Sequence, residues 1–125
     1  MNDATLLLRQ ISPDHIEGGR VTSQAFKPMP KDKRRLSCYD GERMSAEQAF
    51  NHFVERNYKS VGVMAVSAGE CKGLALSVDP DGFQFPEHVS VVFPKELSES
   101  QVAKKARSLK KLAIARDWMY QVQPK

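Results

Sequence analysis

The sequence predicts a single α+β domain over residues 1–125, in which a mixed or antiparallel sheet of about 4–6 strands is covered by two main helices. Three observations predict this fold class. The length of 125 residues is typical of one domain. The chain is 41% hydrophobic and 27% charged, which is the balance of a globular protein. Short apolar runs bounded by glycine and proline are interleaved with two longer segments of helical periodicity.

The first third of the chain alternates strand-like runs with turn signals. Strands are predicted at residues 5–11, 20–26 and 36–39. Ser12 and Pro13 predict the start of a short helix, because serine caps helices and proline fits the first helical position. Gly18 and Gly19 should end it, since glycine adopts left-handed backbone angles at little cost. The basic segment 27–35 contains two prolines and is expected to be a surface loop.

Two capping boxes mark the main helices. In each, a serine side chain and a glutamine three residues later cap each other's backbone, starting at Ser45 and at Ser98. Apolar side chains then recur at helical spacing. The helices are predicted over residues 45–57 and 98–120. Near the end of the second helix, Trp118 and Met119 either extend its contact with the core, which we expect, or form an exposed anchor for a partner.

The remaining apolar runs predict a buried sheet. Strands are expected at residues 60–66, 74–78 and 88–93, with a turn or one helical turn at 69–73. The predicted core from these strands consists of Val61, Val63, Met64, Val66, Leu76, Val78, Val89, Val91, Val92 and Phe93. The two helices should add Phe50, Phe53, Leu109 and Ala113.

Positive charge is concentrated in two segments. Residues 98–125 contain seven bases and two acids, a net of +5, although the whole chain is only +4. The loop 27–35 contains five bases and one acid. Localised charge attracts polyanions, so we expect a small non-catalytic binding or accessory module that engages an acidic macromolecule, either nucleic acid or acidic protein. The alternative is that these bases only keep a helix face soluble. The assigned binding residues are Lys31, Lys33, Arg34 and Arg35 in the loop, and Lys104, Arg107 and Lys111 in the helix.

The patterns of cysteine, histidine and hydropathy indicate the cellular location of the protein and the absence of bound metal. Cys38 and Cys71 are far apart and form no CxxC motif, which favours reduced thiols and a cytoplasmic location. No apolar run approaches the roughly 20 residues needed to cross a bilayer, so no membrane association is expected. His15, His52 and His88 lack the spacing of metal ligands, and neither a metal nor a cofactor is predicted. The oligomeric state is left open.

An enzymatic alternative comes from the polar segment 9–39. An arginine at a strand end beside a glycine turn, Arg9, can hold a phosphate or carboxylate, although it could equally pair with Asp14 or Glu17. Later in the chain, His88 is expected to be a strand-end residue with a backbone hydrogen bond. The candidate catalytic residues are Arg9, Ser23, Tyr39, Glu87 and His88.

Part of this segment resembles a known family. Arg9 on a strand, Gly18 at the end of a short helix, and Ser23 and Phe26 on the next strand resemble the start of small ADP-ribosyltransferase-type domains. The resemblance covers about a third of the chain. It implies a small ADP-ribosyltransferase-like enzyme with a late acidic catalytic residue, and the match for that residue is Glu87. Apart from the resemblance, a pocket built from the polar segment 9–39 also fits another small transferase or a hydrolase.

Overall fold

The computed structural model describes residues 1–122 and confirms an α+β fold with an antiparallel sheet. The strands are β1 (Leu6–Ile11), β2 (Ile16–Glu17), β3 (Arg20–Val21), β4 (Arg35–Asp40), β5 (Gly62–Ser67), β6 (Ser77–Asp79), β7 (His88–Val92) and β8 (Tyr120–Gln121). Six of them form one sheet in the order β6-β7-β4-β1-β5-β8, and β2 and β3 form a separate hairpin. Every strand pair is antiparallel.

Within residues 1–122, three α-helices accompany the sheet, one more than the two main helices that the sequence predicts. They are α1 (Ala46–Glu55), α2 (Ala68–Gly73) and α3 (Glu99–Arg116). The two expected capping boxes, at Ser45 and Ser98, are both present. A third box at Ser67 starts α2, where the sequence indicates no more than a turn or one helical turn. Local capping chemistry therefore defines the start of all three helices.

The predicted strand at residues 20–26 is wrong beyond Val21. Residues Ser23–Phe26 form a 3-10 helix instead, which packs against α3. The reason is burial: Ala25 and Phe26 are both fully buried, whereas successive residues of a strand point to opposite faces. The expected short helix exists as a 3-10 turn at Pro13–His15, and Gly18 and Gly19, both at positive φ, form the two-residue turn of the β2–β3 hairpin.

Two further boundaries differ from the sequence prediction. The strand expected at residues 74–78 begins at Ser77, because Leu74 and Ala75 complete the end of α2 through backbone hydrogen bonds to Cys71 and Lys72. The loop 27–35 contains a 3-10 turn at Pro30–Asp32 and ends one residue early, since Arg35 already pairs with β7.

The last helix ends at Arg116 and not near Tyr120. Asp117 has a φ of 74°, and its carboxylate accepts a hydrogen bond from the Trp118 backbone N–H. This turn sends the chain back along β5, where β8 adds a short edge strand. Trp118 packs against the core as expected, but Met119 is exposed.

The sheet separates two apolar clusters. The first lies on what we term the α3 face, where the buried side chains of the strands and of α3 include Leu7, Met64, Val66, Val89, Val91, Val102, Ala106, Leu109 and Ala113. The second lies on the α1 face and includes Leu8, Tyr39, Ala49, Val63 and Ala65. Of the predicted core, Val61, Val78, Val92, Phe50 and Phe53 are only half-buried, and the others are buried.

The α1 face is only partly covered by its helix. α1 packs against β1, β5 and β8, at one side of the sheet. At the other side, the register of β4 and β7 puts Ser37 opposite Ser90 and Tyr39 opposite His88, so these four side chains share the same face. The irregular segment 80–87 borders them instead of a helix. The open part of the α1 face is where the candidate site lies.

Candidate functional site

Two adjoining cavities open on the part of the α1 face that the helix leaves uncovered. Their volumes are about 310 Å³ and about 550 Å³. The residues that line both are Lys31, Asp32, Ser37, Phe83 and His88. We refer to the joined space as the Ser37 cleft. Its residues come from β1, β4 and β7, the basic loop, the segment 80–87, and the end of α1 with the residues that follow it. The sheet therefore forms the floor of the cleft, and the loops form its rim.

The floor of the cleft lies where two central strands of the sheet, β1 and β4, diverge, and we call this divergence the fork. β1 and β4 pair only at Leu7–Asp40 and Leu8–Tyr39, although both strands continue beyond these pairs. The guanidinium of Arg9 bridges the gap, because its Nε donates to the Ala25 carbonyl and its Nη1 to the Ser37 carbonyl, each at 2.8 Å. Burial lowers the pKa of Arg9 below its ordinary value. Arg9 therefore braces the backbone beneath Ser37.

Ser37, His88 and Asp81 form a continuous hydrogen-bonded chain in the cleft. The Ser37 Oγ lies 3.1 Å from His88 Nε2, and His88 Nδ1 lies 2.6 Å from Asp81 Oδ1. Ser37 is exposed, whereas His88 is only 5% exposed. An ionised Asp81 requires the proton of a neutral imidazole to be on Nδ1, which leaves Nε2 as an acceptor for the Ser37 hydroxyl.

The surroundings of Asp81 keep its carboxylate ionised. Burial by itself would raise the pKa of Asp81, but hydrogen bonds from Ser90, His88, the Phe83 N–H and Arg35 outweigh it and hold the pKa well below its usual range. The Ser90 Oγ donates to Asp81 Oδ2 at 2.7 Å, and Arg35 also pairs with this oxygen at 3.2 Å. These contacts hold the Asp81 carboxylate in position and keep it ionised.

Aromatic rings form one wall of the cleft. The Tyr39 ring stacks on Phe85 with centroids 4.9 Å apart, and the Tyr39 hydroxyl lies 2.9 Å from His52 Nδ1. The Arg56 guanidinium lies 5.1 Å from the Phe85 centroid and 5.4 Å from the Tyr58 centroid. Burial raises the pKa of Tyr39 despite the nearby Arg56 charge. The inner wall is therefore formed mainly by packed aromatic rings, with the Arg56 guanidinium next to them.

The outer rim of the cleft exposes two rings to solvent. Phe83 is 62% exposed and Tyr58 is 50% exposed, which is unusual for side chains that lose free energy in water. Lys31 and Arg56 lie beside them on the cleft, and neither forms an ion pair with any residue among 1–122. The rim thus combines two partly exposed rings with positive charge, although Tyr58 also stacks on Phe53 and the Asp32 carboxylate lines the cleft beside Lys31.

A buried amide adds an unused acceptor to the base of the cleft. The Gln10 Nε2 donates to the Ala49 carbonyl at 2.9 Å, but the buried Gln10 Oε1 accepts no hydrogen bond from the described part of the chain. A buried acceptor without a partner is costly. Gln10 lines the smaller cavity, but its Oε1 is itself buried and not open to the cavity.

The predicted basic residues do not form one surface. Arg34 pairs with Glu99 at 3.2 Å, and Arg35 pairs with Asp79 and Asp81. The other predicted binding residues have no ion-pair partner within residues 1–122: Lys31, Lys33, Lys104, Arg107 and Lys111. Of these, the two lysines of the loop line the Ser37 cleft, and the three bases of α3 are exposed on the helix that covers the opposite face of the sheet.

The predicted catalytic residues are only partly brought together. Arg9, Tyr39 and His88 line the smaller cavity, whereas Ser23 and Glu87 line neither cavity of the cleft. Arg9 bonds two backbone carbonyls rather than Asp14 or Glu17.

The expectation for His88 needs a correction. Both of its ring nitrogens bond side chains, Asp81 and Ser37, because the neighbouring strand β4 presents Ser37 on the same face. The set that resembles an ADP-ribosyltransferase is therefore not assembled in the cleft.

The two cysteines lie in the apolar interior. Cys38 and Cys71 are both buried and free, and burial raises the pKa of Cys38 to about 11 and that of Cys71 to about 12. Thiols of this kind stay protonated and do not act as nucleophiles at neutral pH. In the described residues 1–122, no group of three or more His, Cys, Asp or Glu side chains is placed to hold a metal ion. Nor does any helix there have the length and apolar character to cross a membrane.

Several residues of the cleft were not candidates in the sequence analysis, among them Ser37 and Asp81 of the hydrogen-bonded chain and the rim residues Arg56, Tyr58 and Phe83. Ser37 alternates with the buried Leu36 and Cys38, so the period-two pattern of a strand already places it on the other face. Asp81 belongs to the Asp-Pro-Asp-Gly turn, and only the register of β7 shows that this turn lies beside His88. No family model, curated protein or solved structure matches the chain.

Proposed function

We propose that the Ser37 cleft binds a segment of single-stranded nucleic acid, which makes the chain a binding module for an acidic macromolecule. One observation carries the proposal: the exposed rings of Phe83 and Tyr58 flank the same cleft as the unneutralised cations Lys31 and Arg56. Proteins that bind single strands combine these two features, a stacking face for bases and positive charge for phosphates.

Each part of the cleft has a distinct role in this proposal. A base that stacks on Phe83 or Tyr58 contributes about 1–3 kcal/mol, whatever its identity, because every base has a π face. Lys31 and Arg56 neutralise phosphates and release counterions, so the affinity falls as salt rises.

The basic surface of α3 has a lesser role. Lys104, Arg107 and Lys111 are exposed, and no aromatic ring is among the residues around them on this helix. Charge without stacking gives weak, non-specific attraction. Exposed bases are also the ordinary way to keep a helix surface hydrated. We therefore assign binding to the cleft and only long-range attraction to α3.

A titration with a fluorescein-labelled single-stranded oligonucleotide, followed by fluorescence anisotropy at low and high salt, tests this assignment. Phe83→Ala should weaken binding by about tenfold at either salt concentration, since it removes a stacking face. Lys31→Glu should weaken it mainly at low salt. The matched control is Lys104→Glu, which makes the same charge change on the opposite face and should have a much smaller effect. Equal losses for Lys31→Glu and Lys104→Glu, or full binding by Phe83→Ala, would contradict the proposal.

A further inference from the structure

We propose that Ser37 is a nucleophile, activated by His88 and Asp81, and that the cleft hydrolyses carboxylic esters with an aromatic group. This inference goes beyond binding and stands independently of the nucleic-acid proposal. It depends on the contacts of three side chains, none of which has a role in the binding proposal.

The three side chains meet the geometric requirements of a nucleophile, a base and a group that orients the base. The nucleophile and base are within hydrogen-bond reach, with Ser37 Oγ at 3.1 Å from His88 Nε2. The opposite ring nitrogen is held at 2.6 Å by Asp81. This is the arrangement of serine hydrolases, which recurs on unrelated folds and is defined by geometry and roles rather than by order in the sequence.

Accessibility separates the nucleophile from the groups that support it. Ser37 is exposed to the cleft, whereas the ring that activates it is almost fully buried. The second serine on this face, Ser90, is buried and bonds Asp81 instead of the imidazole, so it orients the acid. A purely structural network would have no need to leave its terminal hydroxyl open to solvent while three other donors hold the acid.

The proposed reaction is a two-step acyl transfer. In the first step the Ser37 Oγ bonds to the ester carbonyl carbon and its proton moves to His88 Nε2. The carbon–oxygen bond to the leaving alkoxide then breaks, and the alkoxide takes that proton and departs as the alcohol.

In the second step water attacks the acyl-Ser37 carbonyl, gives a proton to Nε2, and releases the carboxylic acid as Ser37 recovers its proton. Water is the only co-reactant, and Asp81 stays ionised to stabilise the transient imidazolium.

The remaining groups of the cleft fit this chemistry. Negative charge develops on the carbonyl oxygen, and Lys31, which lines both cavities beside Ser37, provides a positive field for it. The rings of Phe83 and Phe85 line the same cavity and favour an aryl or similarly flat apolar group on the substrate. The volume of about 310 Å³ is suited to a small ester.

The test uses the full chain and a fluorophosphonate probe, which phosphonylates activated serines. Intact-mass measurement and peptide mapping should find one adduct, on Ser37. Ser37→Ala should give none, and His88→Gln should label at least about 100-fold more slowly, because the general base is lost. Ser108→Ala, a serine change on α3, is the matched control and should label like the wild type. Hydrolysis of p-nitrophenyl acetate should follow the same order.

Folding of each variant is checked by circular dichroism, and Ser37→Cys gives a second readout. With the base in place, the new thiol should be alkylated by iodoacetamide at neutral pH much faster than in the His88→Gln background. No adduct on Ser37 in the folded wild type, or equal labelling with and without His88, overturns the inference. If the chain binds oligonucleotide but the probe does not label Ser37, the binding proposal holds and the hydrolase inference fails. If the probe labels Ser37 but no oligonucleotide binds, the inference holds and the binding proposal fails.

Discussion

The two faces of the sheet are built differently. On the α3 face, strand side chains such as Leu7, Val66 and Val91 are fully buried beneath helices. On the open part of the α1 face, the same strands carry Ser37 and His88, and an irregular segment replaces the helix. Successive residues of β4 and β7 therefore alternate between apolar side chains that face the core and polar side chains that face the cleft.

This difference indicates where stability and function reside. Burial of the larger apolar cluster on the α3 face supplies most of the hydrophobic free energy of folding, at roughly 25 cal/mol per Å² of apolar surface. The polar groups of the cleft add little to that and need a hydrogen-bonded network merely to be tolerated. We therefore expect truncation of apolar side chains on the α3 face to lower the free energy of unfolding, and changes of the exposed side chains of the cleft to lower binding or reactivity.

The largest expected effect is on the α3 face. Leu109→Ala should lower the free energy of unfolding by about 2–5 kcal/mol, because Leu109 is fully buried and its truncation leaves a cavity. Ser37→Ala, on the cleft face, should change it by no more than about 0.5 kcal/mol. Urea denaturation followed by circular dichroism measures both. If the two variants lose similar amounts of unfolding free energy, the α3 face is not the main source of stability.

A second prediction concerns the fork that joins the two faces. Arg9→Leu should cost about 2–4 kcal/mol, since it leaves the carbonyls of Ala25 and Ser37 without the guanidinium that now bonds them. Arg107→Leu, an arginine change on the exposed side of α3, is the control and should be nearly neutral. The same urea titration tests the pair, and a neutral Arg9→Leu would remove Arg9 as a brace.

A third prediction is a pH dependence of the cleft network. The pKa of Asp81 is lowered on folding, so its charge stabilises the native state above its ordinary value of 3.8, and this contribution is lost as the pH falls below that value. Asp81→Asn should therefore cost about 2 kcal/mol near neutral pH and progressively less towards about pH 3. Urea titrations of both proteins across this range give the difference. If the difference in free energy of unfolding between the two proteins does not change with pH, the charge of Asp81 is not the source of the stabilisation.

The smallest expected effect is an absence of reaction on the α3 face. Cys38 and Cys71 are buried with raised pKa values, so neither should react with Ellman's reagent in the native protein. Both of the 2 cysteines should react once the chain is unfolded in guanidinium chloride. Rapid native reaction of either thiol would show that this face opens as easily as the cleft.

Local chemistry made much of the fold predictable from sequence. The starts of α1 and α3 follow from capping boxes, which need only four neighbouring residues. The end of α3 was not predictable, because the left-handed Asp117 turns the chain back towards a partner strand that is more than fifty residues earlier. The 3-10 helix at Ser23–Phe26 was missed for the same reason, since distant packing against α3 outweighs a weak alternating pattern.

The candidate site was less predictable than the fold. Arg9, Tyr39 and His88 were identified because they are chemically conspicuous, but the hydrogen-bonded chain from Ser37 to Asp81 depends on strand register. A one-residue shift between β4 and β7 would turn Ser37 away from His88. The basic loop and α3 were linked by their shared charge, although the sheet lies between the cleft and the helix that carries the second group of cations.

The short return strand β8 has a consequence for how copies of the chain behave towards one another. It covers the beginning of β5, whose Gly62–Ser67 segment is uncharged and almost entirely buried. Without β8, the unpaired backbone N–H and C=O groups of this edge strand could form hydrogen bonds with an extended segment of another chain, which is how sheet proteins aggregate into fibres. By folding back after Asp117, the polypeptide occupies part of that edge itself and so limits self-templated polymerisation.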